Sequence, residues 1–206
     1  TIRIATPLIF CAMAGIFSER SGIIDIGLEG KMLLSAFVAA TATFLTGSPI
    51  LGLFAAILVS CSASLIHGFA CITHKGDQVI SGLAINILAS GLTITLGIAL
   101  FSRGGQTPPL ASEQRFMPIE FPFLDQASHV PVLGDLFVEV ISGHNMLVYL
   151  SVFAVFFTYY VIFKTRFGLR LRAVGEKPEA VDTAGISVIK MRYQSILIAG
   201  MLCGLA

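Results

Sequence analysis

Charged residues are missing from three long stretches of this chain, Met32–His74, Gln78–Ser102 and Val140–Phe163. Each is longer than the roughly 20 residues that carry a helix across a bilayer. Soluble helices keep a solvated, charged face, and these stretches have none. Hydrophobic residues make up 55% of the chain and charged ones 12%, about half the usual charged share. The sequence therefore reads as an all-α polytopic membrane protein with about six hydrophobic helices.

The same composition excludes several classes of function. A net charge of +1 on a mostly apolar chain offers no basic face to nucleic acid. Cys11, Cys61, Cys71 and Cys203 lie in apolar stretches without CxxC spacing, so they read as small packing residues, and no metal site is expected. The first segment lacks a basic leader and a small-residue cleavage site, which argues against a cleaved signal peptide. The chain opens without methionine and stops at Ala206 inside an apolar run, so it reads as a fragment of a longer protein.

Six apolar segments can be drawn. The first, Ile4–Phe17, is short for a crossing and is either incomplete or half of a broken helix. A second helix runs from Ile26 to Thr46, with Asp25 as its N-cap and Glu29 in its first turn. Gly47, Ser48 and Pro49 turn the chain into a third, Ile50–Thr73. After His74–Asp77 comes a fourth, Val79–Phe101. The region 102–145 is polar and interrupted by prolines, although Val132, Leu133, Leu136, Phe137, Val140 and Ile141 follow a helical period. The fifth helix is Met146–Phe163, and the sixth begins near Val188 with Ser187 as its N-cap.

Orientation follows from the basic residues. Lys164, Arg166, Arg170, Arg172, Lys177, Lys190 and Arg192 gather after the fifth helix. By the positive-inside rule the segment 164–190 is cytoplasmic and 102–145 is extracytoplasmic. The whole chain, 1–206, then forms a single membrane domain. Ser18–Gly27 lies inside if the first segment is a full span, and within the membrane if that helix is broken.

No catalytic residue is assigned, because no HExxH, GxSxG or phosphate-loop pattern occurs. The charge-free stretches hold no carboxylate or lysine, which disfavours a proton-coupled carrier. Asp25 and Glu29 would reach membrane depth only with a broken first helix. What the spans do carry is small and neutral-polar. Gly82, Asn86, Ser90, Thr93 and Gly97 share one face of the fourth helix, and Ser60, Ser64, His67 and Cys71 one face of the third. These faces serve either helix packing or a polar pathway for a small neutral solute, with Asn86, Ser90, Thr93, Ser64 and His67 as the pathway residues.

The charged segment contains one further signal. Pro178 suits a first helical position, Glu179 and Asp182 complement the positive end, and Gly185 suits a left-handed stop. That predicts two helical turns over Pro178–Ala184, too short to stand alone. Such a helix docks on the ends of its own bundle or on a soluble partner, or else belongs to a solvated loop.

Two runs carry a resemblance. Thr6-Pro7-Leu8 with Gly15-Ile16-Phe17-Ser18-Glu19-Arg20-Ser21-Gly22-Ile23-Ile24-Asp25-Ile26-Gly27-Leu28-Glu29-Gly30-Lys31-Met32 resembles the opening of bacterial ABC permeases for nucleosides and simple sugars. Phe167-Gly168-Leu169-Arg170-Leu171-Arg172-Ala173-Val174-Gly175-Glu176-Lys177-Pro178-Glu179-Ala180, continuing Asp182-Thr183-Ala184-Gly185-Ile186, is similar to their cytoplasmic loop. These permeases belong to the branched-chain amino acid and ribose permease superfamily. Lys177 and Asp25 each stand where asparagine is commoner. The resemblance implies part of a type II ABC importer permease in the bacterial plasma (inner) membrane, with further helices after Ala206. It implies that Gly175, Glu176, Pro178, Glu179, Ala180 and Gly185 couple to a separate ATP-binding subunit. A second permease subunit and an extracytoplasmic solute-binding lipoprotein are the other implied partners. ATP is then used by the partner, and no cofactor is bound by this chain. The other readings of the residues are a secondary carrier or facilitator for small neutral solutes and a membrane scaffold.

Overall fold

The computed structural model describes residues 2–102, 106–111, 114–119 and 143–206. Among the described residues, six helices are long and apolar enough to cross a membrane: α1 (Ile2–Arg20), α2 (Leu28–Thr46), α3 (Pro49–Gly68, extended by a π-helical turn, Phe69–Thr73), α4 (Gln78–Phe101), α5 (Met146–Lys164) and α8 (Val188–Leu205). Between the last two lie the shorter α6 (Arg166–Glu176) and α7 (Pro178–Thr183). A two-residue strand, Pro118–Ile119, pairs antiparallel with His144–Asn145. The apolar periodicity proposed for Val132–Ile141 lies outside the described residues. The chain is a multi-pass membrane protein.

Several local signals act as their chemistry dictates. Asp77 caps α4, its Oδ1 accepting from the amides of Val79 (2.8 Å) and Ile80 (3.0 Å). Ser187 Oγ accepts from Lys190 N at 3.4 Å at the head of α8. Pro49 and Pro178 occupy first turns, where the missing N–H costs no helical bond.

α1 departs from the expected short or broken segment. It is one continuous helix of 19 residues, long enough to span. The polar residues after Phe17 extend it instead of ending it, because Ser18 Oγ donates within the helix, to Gly15 O at 3.0 Å.

Small residues set the packing. On α8, Ala199, Gly200, Cys203 and Gly204 are buried, and they meet α1 at Ala14 and α3 at Cys61, Ser64 and Ile57. Without a hydrophobic drive between helices in lipid, such close approach gives the van der Waals contact that holds a bundle. α2 runs between α3 and α4, while α5 stands beside α1 and α6. Outward faces of α3, α4 and α5 carry large apolar side chains such as Leu58, Ile87 and Phe156, suited to hydrocarbon.

Candidate functional site

The site is built around the connector between α1 and α2. Residues Ser21–Gly27 are not helical, yet Ser21, Ile23, Asp25 and Gly27 are buried. Gly22 turns the chain at φ +78°. Ile24 N then donates to Gln78 Oε1 (2.7 Å) at the head of α4, and the Asn86 carboxamide clasps the next stretch. Its Oδ1 accepts from Gly30 N (2.8 Å) and its Nδ2 donates to Ile26 O (3.1 Å). Asn86 lies eight residues into α4, about 12 Å along the axis at helical rise. The connector therefore rises into the membrane domain, and α2 starts at depth. Irregular backbone is tolerated there only when protein surrounds it.

A buried ion pair comes with it. Lys31 Nζ donates to Asp25 Oδ2, and both side chains are fully buried. Asp25 Oδ1 accepts from Gly27 N at 3.1 Å and lies 3.9 Å from His67 Nε2. His67 Nδ1 sits 3.0 Å from Ser81 Oγ. An isolated buried carboxylate would cost several kcal/mol, so a short pair with additional hydrogen bonds is the form in which it survives. The expected N-cap role of Asp25 is corrected by this geometry. Gly27 stands at the cap of α2 without any side-chain cap bond, because the Asp25 carboxylate is turned to Lys31. Glu29, two residues before the pair's lysine, remains exposed.

The proposed pathway residues do not form one open face. Asn86 is engaged at the α2–α4 joint. A Cβ on Gly30 would fall 2.7 Å from Asn86 Cα, so only glycine admits this approach. Thr93 is buried, its hydroxyl bonded within α4 to Ala89 O at 2.9 Å, whereas Ser90 is exposed on another side. Ser64 is buried between α3 and α8, with no hydrogen-bond partner for its hydroxyl among the described residues. His67 is buried against Asp25 and Ser81.

The residues assigned to coupling share one end of the bundle, the end that carries the basic segment. α6 opens with Thr165 Oγ1 accepting from Gly168 N (3.2 Å), and it buries Gly168, Leu171 and Val174. Arg172 lies over the Phe163 ring, 5.2 Å from its centroid. Gly175 touches the end of α1 and the start of the connector, since a Cβ there would sit 2.5 Å from Arg20 O and 3.3 Å from Gly22 N. Arg192 Nε, from α8, donates to Ser21 O at 3.3 Å. Pro178, Glu179 and Ala180 form α7, exposed or half-buried, and Gly185 follows at φ +77° as a left-handed stop. Glu176, Lys177, Ala180 and Val181 line an open groove of about 480 Å³ between α6 and α7.

The family model described as "Branched-chain amino acid transport system / permease component" matches residues 1–206. The chain belongs to this family. Among curated proteins, this permease chain is 39% identical to the guanosine ABC transporter permease protein NupQ of Bacillus subtilis, over 100% of this chain and 63% of that protein. The nucleoside ABC transporter permease protein NupC of Lactococcus lactis is 35% identical, over 97% of this chain and 62% of its own. The glucose ABC transporter permease protein TsgB13 of Haloferax volcanii is 29% identical, over 89% and 48% respectively. The chain thus spans less than two thirds of the length of these relatives. No solved structure gave a significant match.

Two features of the permease escaped the sequence reading. Lys31 sits at the edge of a charge-free stretch, and its partner six residues earlier looks like a helix cap. A cation and an anion flanking Gly27 and Gly30 were the available signal. The second is a cavity of about 390 Å³ beside α2, lined by Ser35, Ala39, Thr43, Gln114, Arg115 and Asn145 among others. It adjoins a groove of about 420 Å³ that includes Glu29 and shares Ala36 with it. The small side of α2 borders open space.

Proposed function

We propose that this chain is part of the membrane-spanning subunit of an ATP-driven importer for nucleosides or simple sugars. The observation that carries this reading is the α6–α7 segment, a pair of short helices that pack Leu171, Val174 and Val181 on the bundle, keep Glu176 and Glu179 exposed and meet the connector through Gly175 and Gly22. A two-turn helix that presents Glu179 and an open groove suits docking on a separate soluble subunit. The solute class follows the relatives, whose names give guanosine, nucleoside and glucose transport.

In this reading the basic end is cytoplasmic, 164–190 is the coupling segment, and 102–145 faces outward. Closure of the ATP-binding subunits moves α6 and α7, and the bundle changes from outward to inward access. No covalent step falls on this chain, and ATP is hydrolysed by the partner. A second permease subunit and an extracytoplasmic solute-binding protein complete the assembly. The α2-side cavity, with Thr43, Gln114 and Asn145 as hydrogen-bonding groups, is where an uncharged hydroxylated solute would enter.

The test is uptake of labelled guanosine, uridine and glucose by proteoliposomes containing the full-length permease, the second permease subunit and the ATP-binding subunit, with the solute-binding protein supplied outside. Uptake that requires internal ATP supports the importer. Saturable uptake without ATP would make the protein a facilitator or secondary carrier.

A further inference from the structure

We propose that the connector Ser21–Gly27 is the link that carries movement of the α6–α7 segment to α2, and that the buried Asp25–Lys31 pair is its inner anchor. This rests on the importer reading given above. The connector has two well-defined ends. At the outer end Gly22 lies against Gly175, where an added Cβ would be 3.4 Å from Gly175 Cα, and Ser21 O accepts from Arg192. At the inner end Asp25, on the connector, is joined to Lys31, in the first turn of α2. A shift at Gly175 therefore pushes on a stretch of seven residues, Ser21–Gly27, whose far end is tied by charge to the helix beside the open cavity.

Stability alone is a poor account of this pair. Replacing a buried ion pair by well-packed apolar residues of similar volume is often neutral or stabilising. Here the geometry is fixed from three sides, because His67 of α3 and Ser81 of α4 continue the network beyond the carboxylate. Asp25 and Lys31 are thus positioning residues, with no contact to solute or ATP required of them.

The experiment uses the full-length permease assembled with the second permease subunit and the ATP-binding subunit in proteoliposomes, with the solute-binding protein outside, and compares wild type with Asp25→Asn, Lys31→Gln and the double variant. Guanosine uptake and ATP hydrolysis are measured per assembled complex. The expected result is that either single variant lowers the maximal uptake rate at least tenfold while KM and basal ATP hydrolysis stay within twofold. The double variant, which leaves no unpaired charge, is expected to return to within threefold of wild type. A raised KM at unchanged maximal rate would overturn the proposal, as would a loss confined to the yield of complex. A second readout does not depend on the solute. ATP with vanadate should alter the labelling rate of Thr46→Cys, at the far end of α2, and adding Asp25→Asn should remove that response. A response that persists in the variant overturns the link, whereas a wild type with neither uptake nor response strikes the importer reading itself.

Discussion

Asn86 Oδ1 accepts the Gly30 amide at 2.8 Å, which joins the interior of α4 to the first turn of α2. The same side chain donates to Ile26 O at 3.1 Å, so one carboxamide closes both sides of the point where the connector becomes helix. Asn86→Leu removes both bonds and places a branched side chain where Gly30 approaches most closely. The expected cost is about 1–3 kcal/mol for the stranded backbone groups. Extraction in mild detergent should recover less assembled complex, with a lower unfolding temperature, while uptake per complex is kept. Impaired uptake at full yield would put Asn86 on the solute path instead.

Gly175 packs α6 on the junction of α1 and the connector. In Gly175→Val the side chain would meet Arg20 O and Gly22 N, and α6 must lift from that junction. Membrane insertion should persist and ATP hydrolysis should lose its dependence on solute. Equal coupling in variant and wild type would count against the contact as part of the transmission route.

Orientation can be checked independently of transport. Alkaline phosphatase fused after residues in 106–111 should be active, and the same reporter fused at Lys177 should be silent. Activity at Lys177 would invert the topology and remove α7 from reach of any cytoplasmic ATP-binding subunit.

Glu179 is exposed in the first turn of α7, and Gly185 has the left-handed backbone that ends the segment. Glu179→Arg reverses the charge on the docking side, and Gly185→Val strains the stop by roughly 1 kcal/mol or more. Both variants should insert normally and lose more than nine tenths of uptake. Pull-down of the ATP-binding subunit distinguishes lost docking from lost transmission, and normal uptake in both would make α7 an ordinary solvated loop.

Much of the bundle was legible because the bilayer writes in long strokes. The three uncharged stretches hold α3, α4, α5 and most of α2, and Pro178 and Gly185 bracket α7. α6 was hidden by its own arginines, although Phe167, Leu171 and Val174 recur at helical spacing beneath them. Asp25 was misread for a different reason. An acid just before an apolar run is a good cap by local rules, and only long-range packing of Gln78, Gly82 and Asn86 draws it past that position to Lys31. The depth of the connector is likewise a property of four helices together. On the α4 stripe, Gly82 and Asn86 meet the connector and the start of α2, which a helical period by itself does not reveal.

The buried connector also imposes an order on biogenesis. α1 and α2 are synthesised before His67, Ser81, Asn86 and Arg192 exist, so Asp25 and Lys31 first meet the membrane without the groups that later enclose them. At that stage the two charges belong at the water interface, and the first turn of α2 with them. Only when α4 arrives can its amide and its glycine face draw the connector inward, and only when α8 arrives is Ser21 O met by Arg192. The α1–α2 hairpin is therefore inserted early and seated late, and a nascent chain stopped before Gln78 should hold α2 closer to the surface than the finished bundle does.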